Sequence, residues 1–388
     1  MLKILSFFGI TYMNRLSWQR AVIKVGSALI APEGRGCNPK LLQPLAQFIM
    51  RSQQAGKDVI IVSSGSVAAG RQQVPVTHRP TIAEKQAMAA IGQTRMMACW
   101  QELLDRPCAQ LLLTAGDLHD RTRYVNIKNT INQLLKHGAI PVINENDTVA
   151  VDELKVGDND NLAAYTALVS QADTLIICSD IDGLYTADPR KDPSATRLDK
   201  VFNIDDKIMS LAGGAGSAVG TGGMLTKLQA AKTCMGSGIQ ACIINGHHKA
   251  VFEALSKGKL DGSLFCPSQA PVHARKLWLQ HTLKSRGTLI VDGGAKEAVC
   301  GRGASLLAKG IVDIKGNFRV GDAVTVEHNN TAIAKGLVNY NSEDLLSIKG
   351  FNSKDFESLI GFSRGSEIIH RDDLILLASQ SGLHSESS

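Results

Sequence analysis

From residue 21 onward, short β-branched apolar runs alternate with longer segments of helical period. Residues 21–25 read as a strand, 39–54 as a helix with an apolar stripe at Leu42, Leu45, Phe48 and Ile49, and 58–62 as a second strand. Two strands of buried type joined by a helix make a right-handed βαβ unit, hence a parallel sheet. The rhythm continues with a helix over 83–104, a strand over 110–114, a helix over 125–137 and a strand over 139–143. Past a polar stretch come a strand at 174–179, a helix from Met224, a strand at 239–244 and a helix at 250–257. The pattern predicts an α/β domain whose mainly parallel sheet is covered by helices on both faces.

The rhythm breaks after about Leu264, where Pro267, Ser268 and Pro271 mark a linker. Beyond it the spacing tightens into short strands with glycine turns, at 288–291, 311–314, 323–326, 332–337 and 367–370, with brief helices at 295–300 and 342–348. These predict a small β-rich barrel of roughly ninety residues, a size suited to an independent domain. The expected organisation is therefore an α/β domain over 16–268, a linker over 269–285 and a β-rich domain over 286–378, with a polar tail at 381–388. Residues 1–13 are mildly apolar, but Arg15 and Arg20 follow and no small-residue cleavage site appears. A secretory signal is not expected. Folding is expected to begin near Leu16, with Met13 an alternative start.

Composition sharpens this only in places. A chain of 388 residues with 44% hydrophobic and 20% charged residues fits two soluble domains. Its apolar runs fall far short of the ~20 residues needed to cross a bilayer. The eight cysteines are scattered with no metal or redox spacing, and several sit in apolar runs, which suggests buried thiols in a reducing cytoplasm. The formal charge of +6 is uneven. Residues 286–380 hold eleven Lys and Arg against twelve Asp and Glu, so the basic excess lies upstream, where it suits anionic small molecules.

Residues 144–161 concentrate six carboxylates and four asparagines between a predicted strand and an Ala- and Leu-rich helical run over 162–169. So polar a segment is not expected in a core. It is either a solvated acidic loop or a ligand site at the carboxyl end of a strand, where open α/β sheets bind ligands. Its side chains offer acceptors for an ammonium, amides for a carboxylate and oxygens for a metal.

Three glycine-bearing strand ends accompany it. In the first, Lys24 precedes Gly26 and Ser27. A lysine on an edge strand reaches solvent, whereas one inside a buried strand needs an anion. In the second, Ser63, Ser64, Gly65 and Ser66 either make a tight turn or let backbone approach a carboxylate or phosphate. The third, Gly220 to Lys227, enters a helix whose positions Met224, Leu228, Ala231 and Met235 share an apolar face. Its spacing is not that of a Walker A loop, yet glycines at a helix start present amides and a dipole to a phosphate, and Lys227 adds a full charge.

Together these parts describe phosphoryl transfer between two anions, in which cations and oriented donors do mainly electrostatic work. Lys24 and Lys227 are the candidate cations. A carboxylate acceptor, already ionised, needs no general base. That suits a chain whose His119, His137, His247 and His248 lie near turns and helix ends. Asp160 then holds the two lysines as their counter-ion, the acidic loop grips an ammonium on the acceptor, and Asn159 grips its α-carboxylate.

The segments Lys24-Val-Gly-Ser, Val62-Ser-Ser-Gly, Val142-Ile-Asn-Glu-Asn-Asp, Val156-Gly-Asp-Asn-Asp-Asn, Gly183-Leu-Tyr-Thr-Ala-Asp-Pro-Arg190 and Gly220-Thr-Gly-Gly-Met-Leu-Thr-Lys227 resemble, in order, the amino acid kinase family. Within it they resemble the branch that phosphorylates glutamate. Gly303-Ala-Ser-Leu-Leu and Arg371-Asp-Asp resemble the PUA domain that bacterial members append. The resemblance implies ATP- and Mg2+-dependent phosphorylation of the γ-carboxylate of L-glutamate, the first step of proline biosynthesis.

By position, it implies that Ser64, Asp147 and Asn159 bind glutamate. Lys24, Ser179, Asp180, Thr221, Gly222, Gly223, Met224, Leu225, Thr226 and Lys227 are implied to bind ATP. Lys24, Asp160 and Lys227 are implied to be catalytic, and the metal ligands stay unassigned. A homo-oligomer assembled through the kinase domain and feedback inhibition by proline are further family expectations, and hand-over to glutamyl phosphate reductase is an expected partnership. Residues 148–157, between the ammonium-facing and phosphoryl-facing parts of the polar stretch, are the segment most free to move and the candidate place for proline to be sensed. Ser179 and Ser63 stand where threonines are usual, and the connection around Arg106, Pro107 and Cys108 is short. A kinase of acetylglutamate, aspartate or a nucleoside monophosphate would share Lys24 and the glycine turns without the acidic loop. The PUA-like tail raises RNA binding as a different class, and the near-neutral charge of 286–380 speaks against it.

Overall fold

The structure, a computed structural model, describes residues 14–32, 36–150, 159–212, 223–268 and 285–377. The chain divides into two compact units, Met1–Gly116 with Thr130–Pro271, and Asp117–Asn129 with Val272–Ser388. No helix among the described residues is long and apolar enough to cross a membrane.

The first unit is built on an eight-stranded sheet. Its strands are β1 (Arg20–Val25), β2 (Asp58–Ser63), β3 (Cys108–Leu113), β4 (Ile140–Glu145), β5 (Thr174–Ser179), β6 (Lys200–Val201), β7 (Gln240–Asn245) and β8 (Ser263–Phe265), in the order β3-β4-β2-β1-β5-β7-β8-β6. β3, β4, β2, β1, β5 and β7 run parallel to their neighbours, as the buried apolar runs predict. β8 turns antiparallel to β7 and pairs in parallel with β6. These last two strands, of three and two residues, are too short to carry a readable alternation, and the sequence pattern misses them. The chain builds outward from β1 in one direction and then returns to its other side at β5. The switch point between β1 and β5 is where such sheets place their ligands.

Alternation along the strands sorts the two faces. Ala21, Ile23 and Val25 of β1, Val59 and Ile61 of β2, Ile176 and Cys178 of β5 and Cys242 and Ile244 of β7 belong to one core. That core includes Leu45, Phe48 and Ile49 of α1 (Pro39–Gln54), Met96 and Trp100 of α3 (Ile82–Leu103) and Phe252 of α7 (Lys249–Ser256). The intervening positions, Val22 and Lys24 among them, point to the opposite face, where α5 (Asn159–Val169) and α6 (Met224–Gly236) lie. Lys24 pairs with Val62 and Ile177 in the middle of the sheet and is 6% exposed, so it is not an edge lysine reaching solvent.

The polar stretch enters the interior more than its composition predicts. β4 runs on through Asn144 and Glu145, which are 1% and 8% exposed, and α5 begins at Asn159 instead of near Leu162. On α6, Leu228 and Ala231 are buried as the pattern predicts. The buried face otherwise runs through Lys227, Ala230 and Cys234, not through Met224 and Met235.

Two glycines set how closely α3 approaches the site. The short helix α2 (Ser66–Gly70) meets α3 backbone to backbone: a Cβ on Gly92 would lie 1.8 Å from Ser66 O, and one on Gly70 would lie 1.9 Å from Met88 O.

In the second unit β9 (Gly287–Val291), β10 (Ile311–Gly316), β11 (Ala323–His328), β12 (Thr331–Leu337) and β13 (Leu374–Leu376) form a five-stranded sheet in the order β10-β9-β11-β12-β13. All its pairs are antiparallel except β9 with β11. Leu306–Leu307 and Glu367–Ile369 make a separate two-stranded ladder beside it, which gives the β-rich domain expected from the tight strand spacing. Leu289, Val326, Tyr340, Phe356 and Ile368 fill the core. Residues 117–129 group with this unit, and Lys128 forms a buried ion pair with Asp373.

Gly92→Ala is expected to destabilise the protein by roughly 3 kcal/mol, because backbone cannot give way as a side chain can. Gly236→Ala, at the end of α6 with nothing within 4 Å of the added carbon, should instead gain about 0.5 kcal/mol. Thermal unfolding of the two variants beside the parent distinguishes a steric contact from a general intolerance of alanine.

Candidate active site

Carboxyl ends of β1, β2, β4 and β5, with the starts of α2, α5 and α6, surround a cavity of about 500 Å³. Lys24, Ser64, Asp147, Asn159, Ser179, Asp180 and Lys227 line it. These seven sequence-derived candidates thus converge on one cavity, although they run from position 24 to position 227.

Beneath the wall lies a buried charge triad. Asp160, in the first turn of α5, is wholly buried. Its Oδ1 lies 2.7 Å from Lys24 Nζ and its Oδ2 3.0 Å from Lys227 Nζ. Thr226 Oγ1 lies 2.9 Å from that Oδ2 and 2.8 Å from Gly223 O, and its single hydrogen is shared between the two acceptors. Burial by itself pushes the Asp160 carboxyl up. The charges of Lys24 and Lys227 and their hydrogen bonds overcome this, and the group ends below the ordinary carboxylate range. Lys24 and Lys227 are themselves almost fully buried. One carboxylate therefore holds two ammonium groups at the cavity wall.

The nucleotide candidates divide in three. Ser179 and Asp180 follow β5, where Ser179 Oγ donates to Asp180 Oδ1 at 3.0 Å and Asn245 Nδ2 donates to Asp180 O at 3.2 Å. Gly223 caps α6 with no side-chain bond, so the free amides of Met224, Leu225 and Thr226 are available to an anion, although these four residues do not line the cavity. Thr221 and Gly222 lie outside the described residues, as do residues 151–158, which hold most of the expected proline-sensing segment.

On the other side, Gly65 adopts φ +98°, and Ser64 N donates to Val25 O at 3.0 Å, which turns the chain from β2 into α2. Ser66 Oγ donates to Asp147 Oδ2 at 3.0 Å. Asn159 Nδ2 donates to Ser64 Oγ at 2.7 Å and to Asn144 Oδ1 at 3.0 Å. Both amide hydrogens of Asn159 are thereby used. In this arrangement what Asn159 has left to offer the cavity is its carbonyl oxygen, an acceptor, whereas a carboxylate would need its amide hydrogens.

Sequence reasoning missed several residues of the wall. Ser27, Arg71 and Glu145 line the cavity, and so does His247, which the sequence places only near a turn. Arg71 sits just past the Ser-Gly turn, and its cationic side chain was the available signal. Gln93, behind the wall and inside α3, belongs to no motif and carried no signal. Cys178 also lines the cavity, but burial pushes its thiol up to about 12, so it stays protonated and is no nucleophile.

The profile of the Amino acid kinase family matches residues 19–245, and that of the PUA domain residues 287–360. A glutamate 5-kinase from Idiomarina loihiensis is 50% identical over 368 residues, 94% of this chain and 99% of its own. One from Salinibacter ruber is 48% identical, over 93% of this chain and 98% of its own. One from Xanthomonas euvesicatoria pv. vesicatoria is 46% identical, over 92% of this chain and all of its own.

Asp160→Asn leaves two buried ammonium groups facing a neutral amide, and is expected to cost about 3 kcal/mol of stability at neutral pH. Because the folded carboxyl titrates below its unfolded value, this contribution is fully present above the unfolded value of about 3.9 and is lost as pH falls through the lower, folded one. Denaturant unfolding of parent and variant should show a constant gap above about pH 5 that closes in acid. A gap that widened in acid would mean that the carboxyl is not held ionised.

Proposed function

The chain belongs to the amino acid kinase family and carries a PUA domain after it, and we propose that it transfers the γ-phosphoryl group of ATP to the γ-carboxylate of L-glutamate, the glutamate 5-kinase reaction that opens proline biosynthesis. The observation that carries this reading is the Lys24–Asp160–Lys227 triad set against a cavity with separate acceptor and donor groups on its far side.

ATP and glutamate are both anions, so bringing them together is the first difficulty, and two fixed ammonium groups offset their repulsion. One oxygen of the ionised γ-carboxylate attacks the γ-phosphorus while the bond to the β-phosphate oxygen breaks and ADP leaves. The negative charge shifts onto the bridging and equatorial oxygens as this happens. Lys24 and Lys227, held by Asp160, meet that charge without having to move. No proton is taken from the nucleophile, which accounts for a wall that needs no histidine or cysteine base. In this reading Asp147 faces the glutamate ammonium and Ser64 and Asn159 orient the α-carbon groups. Ser179, Asp180 and the start of α6 hold the nucleotide, and Thr221 and Gly222 extend that cradle.

Mg2+ belongs to the same reading. Among the described residues no three His, Cys, Asp or Glu side chains gather into a metal cage. A Mg2+ carried on ATP phosphates needs only one or two carboxylates with water, and Asp180 on the cavity wall has that character. The ion would neutralise phosphate charge. Proline feedback, a homo-oligomer, residence in the cytoplasm and delivery of the hydrolysis-prone acyl phosphate to glutamyl phosphate reductase complete the proposal.

ATP consumption should depend on glutamate and not on acetylglutamate or aspartate in a coupled assay, and a preference for either alternative would overturn the substrate. Lys227→Ala and Asp160→Ala should lower turnover by about 100-fold or more with a smaller change in the glutamate requirement, since their contacts strengthen as charge moves. Asp147→Ala should mainly raise the glutamate KM, by about 10- to 100-fold. An unchanged KM would remove Asp147 from the substrate site.

A further inference from the structure

Four side chains beside the cavity form one hydrogen-bonded chain. Asn144 Nδ2 donates to Gln93 Oε1 at 2.9 Å, and Asn144 Oδ1 accepts both the Glu145 backbone N–H at 2.9 Å and Asn159 Nδ2 at 3.0 Å. Asn159 Nδ2 in turn donates to Ser64 Oγ at 2.7 Å. An amide side chain can be turned end for end at almost no steric cost, so its polarity needs an external reference. Here the reference is the Glu145 N–H, which can only donate. It fixes the oxygen of Asn144 on its own side and sends the nitrogen toward Gln93. The same oxygen obliges Asn159 to present nitrogen.

Gln93 closes the chain at its inner end. It is 7% exposed, and its oxygen takes the Asn144 nitrogen while its own Nε2 is buried without a hydrogen-bond partner. A buried donor left unpaired costs free energy, which marks the oxygen as the end the site uses. Its position is set by the neighbouring Gly92, whose backbone contact with Ser66 fixes α3 against α2.

We propose that Gln93 is a positioning residue for the amino-acid substrate: through Asn144 it fixes the amide of Asn159 with its carbonyl oxygen toward the cavity and leaves the Ser64 hydroxyl hydrogen free to donate. This rests on the glutamate reading of the site and deepens it. Asn159 then accepts from the substrate ammonium, and Ser64 donates to a substrate carboxylate. An Asn159 turned the other way would aim N–H groups at the ammonium, leave the Asn144 oxygen facing another oxygen, and remove the donor from Ser64.

The test uses the full chain and three proteins: parent, Gln93→Met and Gln93→Glu. Met keeps the length of the side chain and removes the acceptor, whereas a buried, neutral Glu keeps an accepting oxygen. Gln93→Met should raise the glutamate KM by about tenfold, leave the ATP KM within about twofold of the parent, and unfold within a few degrees of it. Gln93→Glu should bring the glutamate KM back to within about threefold of the parent. The proposal falls if Gln93→Met leaves the glutamate KM unchanged, if it raises both KM values alike, or if Gln93→Glu is no better than Gln93→Met. A parent that consumes no ATP with glutamate overturns the functional reading and this proposal together. An active parent with an indifferent Gln93→Met overturns the proposal alone.

Discussion

Asp160 sits between two ammonium groups in a place that water does not reach, and most of what surrounds it follows from that constraint. Removing three charges from water is expensive, and the attraction among them recovers this only in good geometry. Two lysine ammonium groups fixed by one buried carboxylate are a poor stability device. They are useful to a site that must receive an anion, because the field is already oriented before the ligand arrives. Thr226 adds a donor to the same carboxylate and so ties the first turn of α6 to the first turn of α5. The two helices are thereby joined through the group that orients the lysines.

The sheet supplies the geometry that makes this affordable. Lys24 is the fifth residue of β1, on the same face as Val22, and that face is the one α5 and α6 cover. A shift of one residue in the register of β1 would put the lysine among Phe48, Trp100 and Phe252. The apolar neighbours Ile23 and Val25 hold that register from the opposite face, where they are completely buried. The placement of this lysine at the cavity wall is thus a by-product of ordinary core packing.

Much of this was legible in the residues. The apolar runs of β1, β2, β5 and β7 marked a parallel sheet, and Lys24, Asp160 and Lys227 could be grouped from charge and glycine turns before any distance was known. What escaped has physical causes. β6 and β8 are too short to show a period. Asn144 and Asp160 looked too polar for the interior, because Gln93, Lys24 and Lys227, which meet them there, come from α3, β1 and α6, elements distant in sequence. Gln93 carries no motif at all: its importance lies in a side-chain contact to Asn144 across fifty-one positions, which only the fold creates.

The polarity of an amide is a harder case, since even a correct list of site residues leaves it open. Asn159 was identified from its motif, yet the motif is silent on which end of its side chain meets the ligand. That choice is settled one hydrogen bond further on, by a backbone N–H of Glu145 that cannot accept. The constraint travels through Asn144 because a single oxygen there receives two donors, and any partner that presented an oxygen would be repelled. A rigid strand end therefore acts on substrate recognition without touching the substrate. The charged half of the site is governed by Coulomb attraction and tolerates small displacements, whereas the amide half depends on the direction of individual hydrogen bonds. Disturbing the first should show in turnover, and disturbing the second in which groups of the amino acid are accepted.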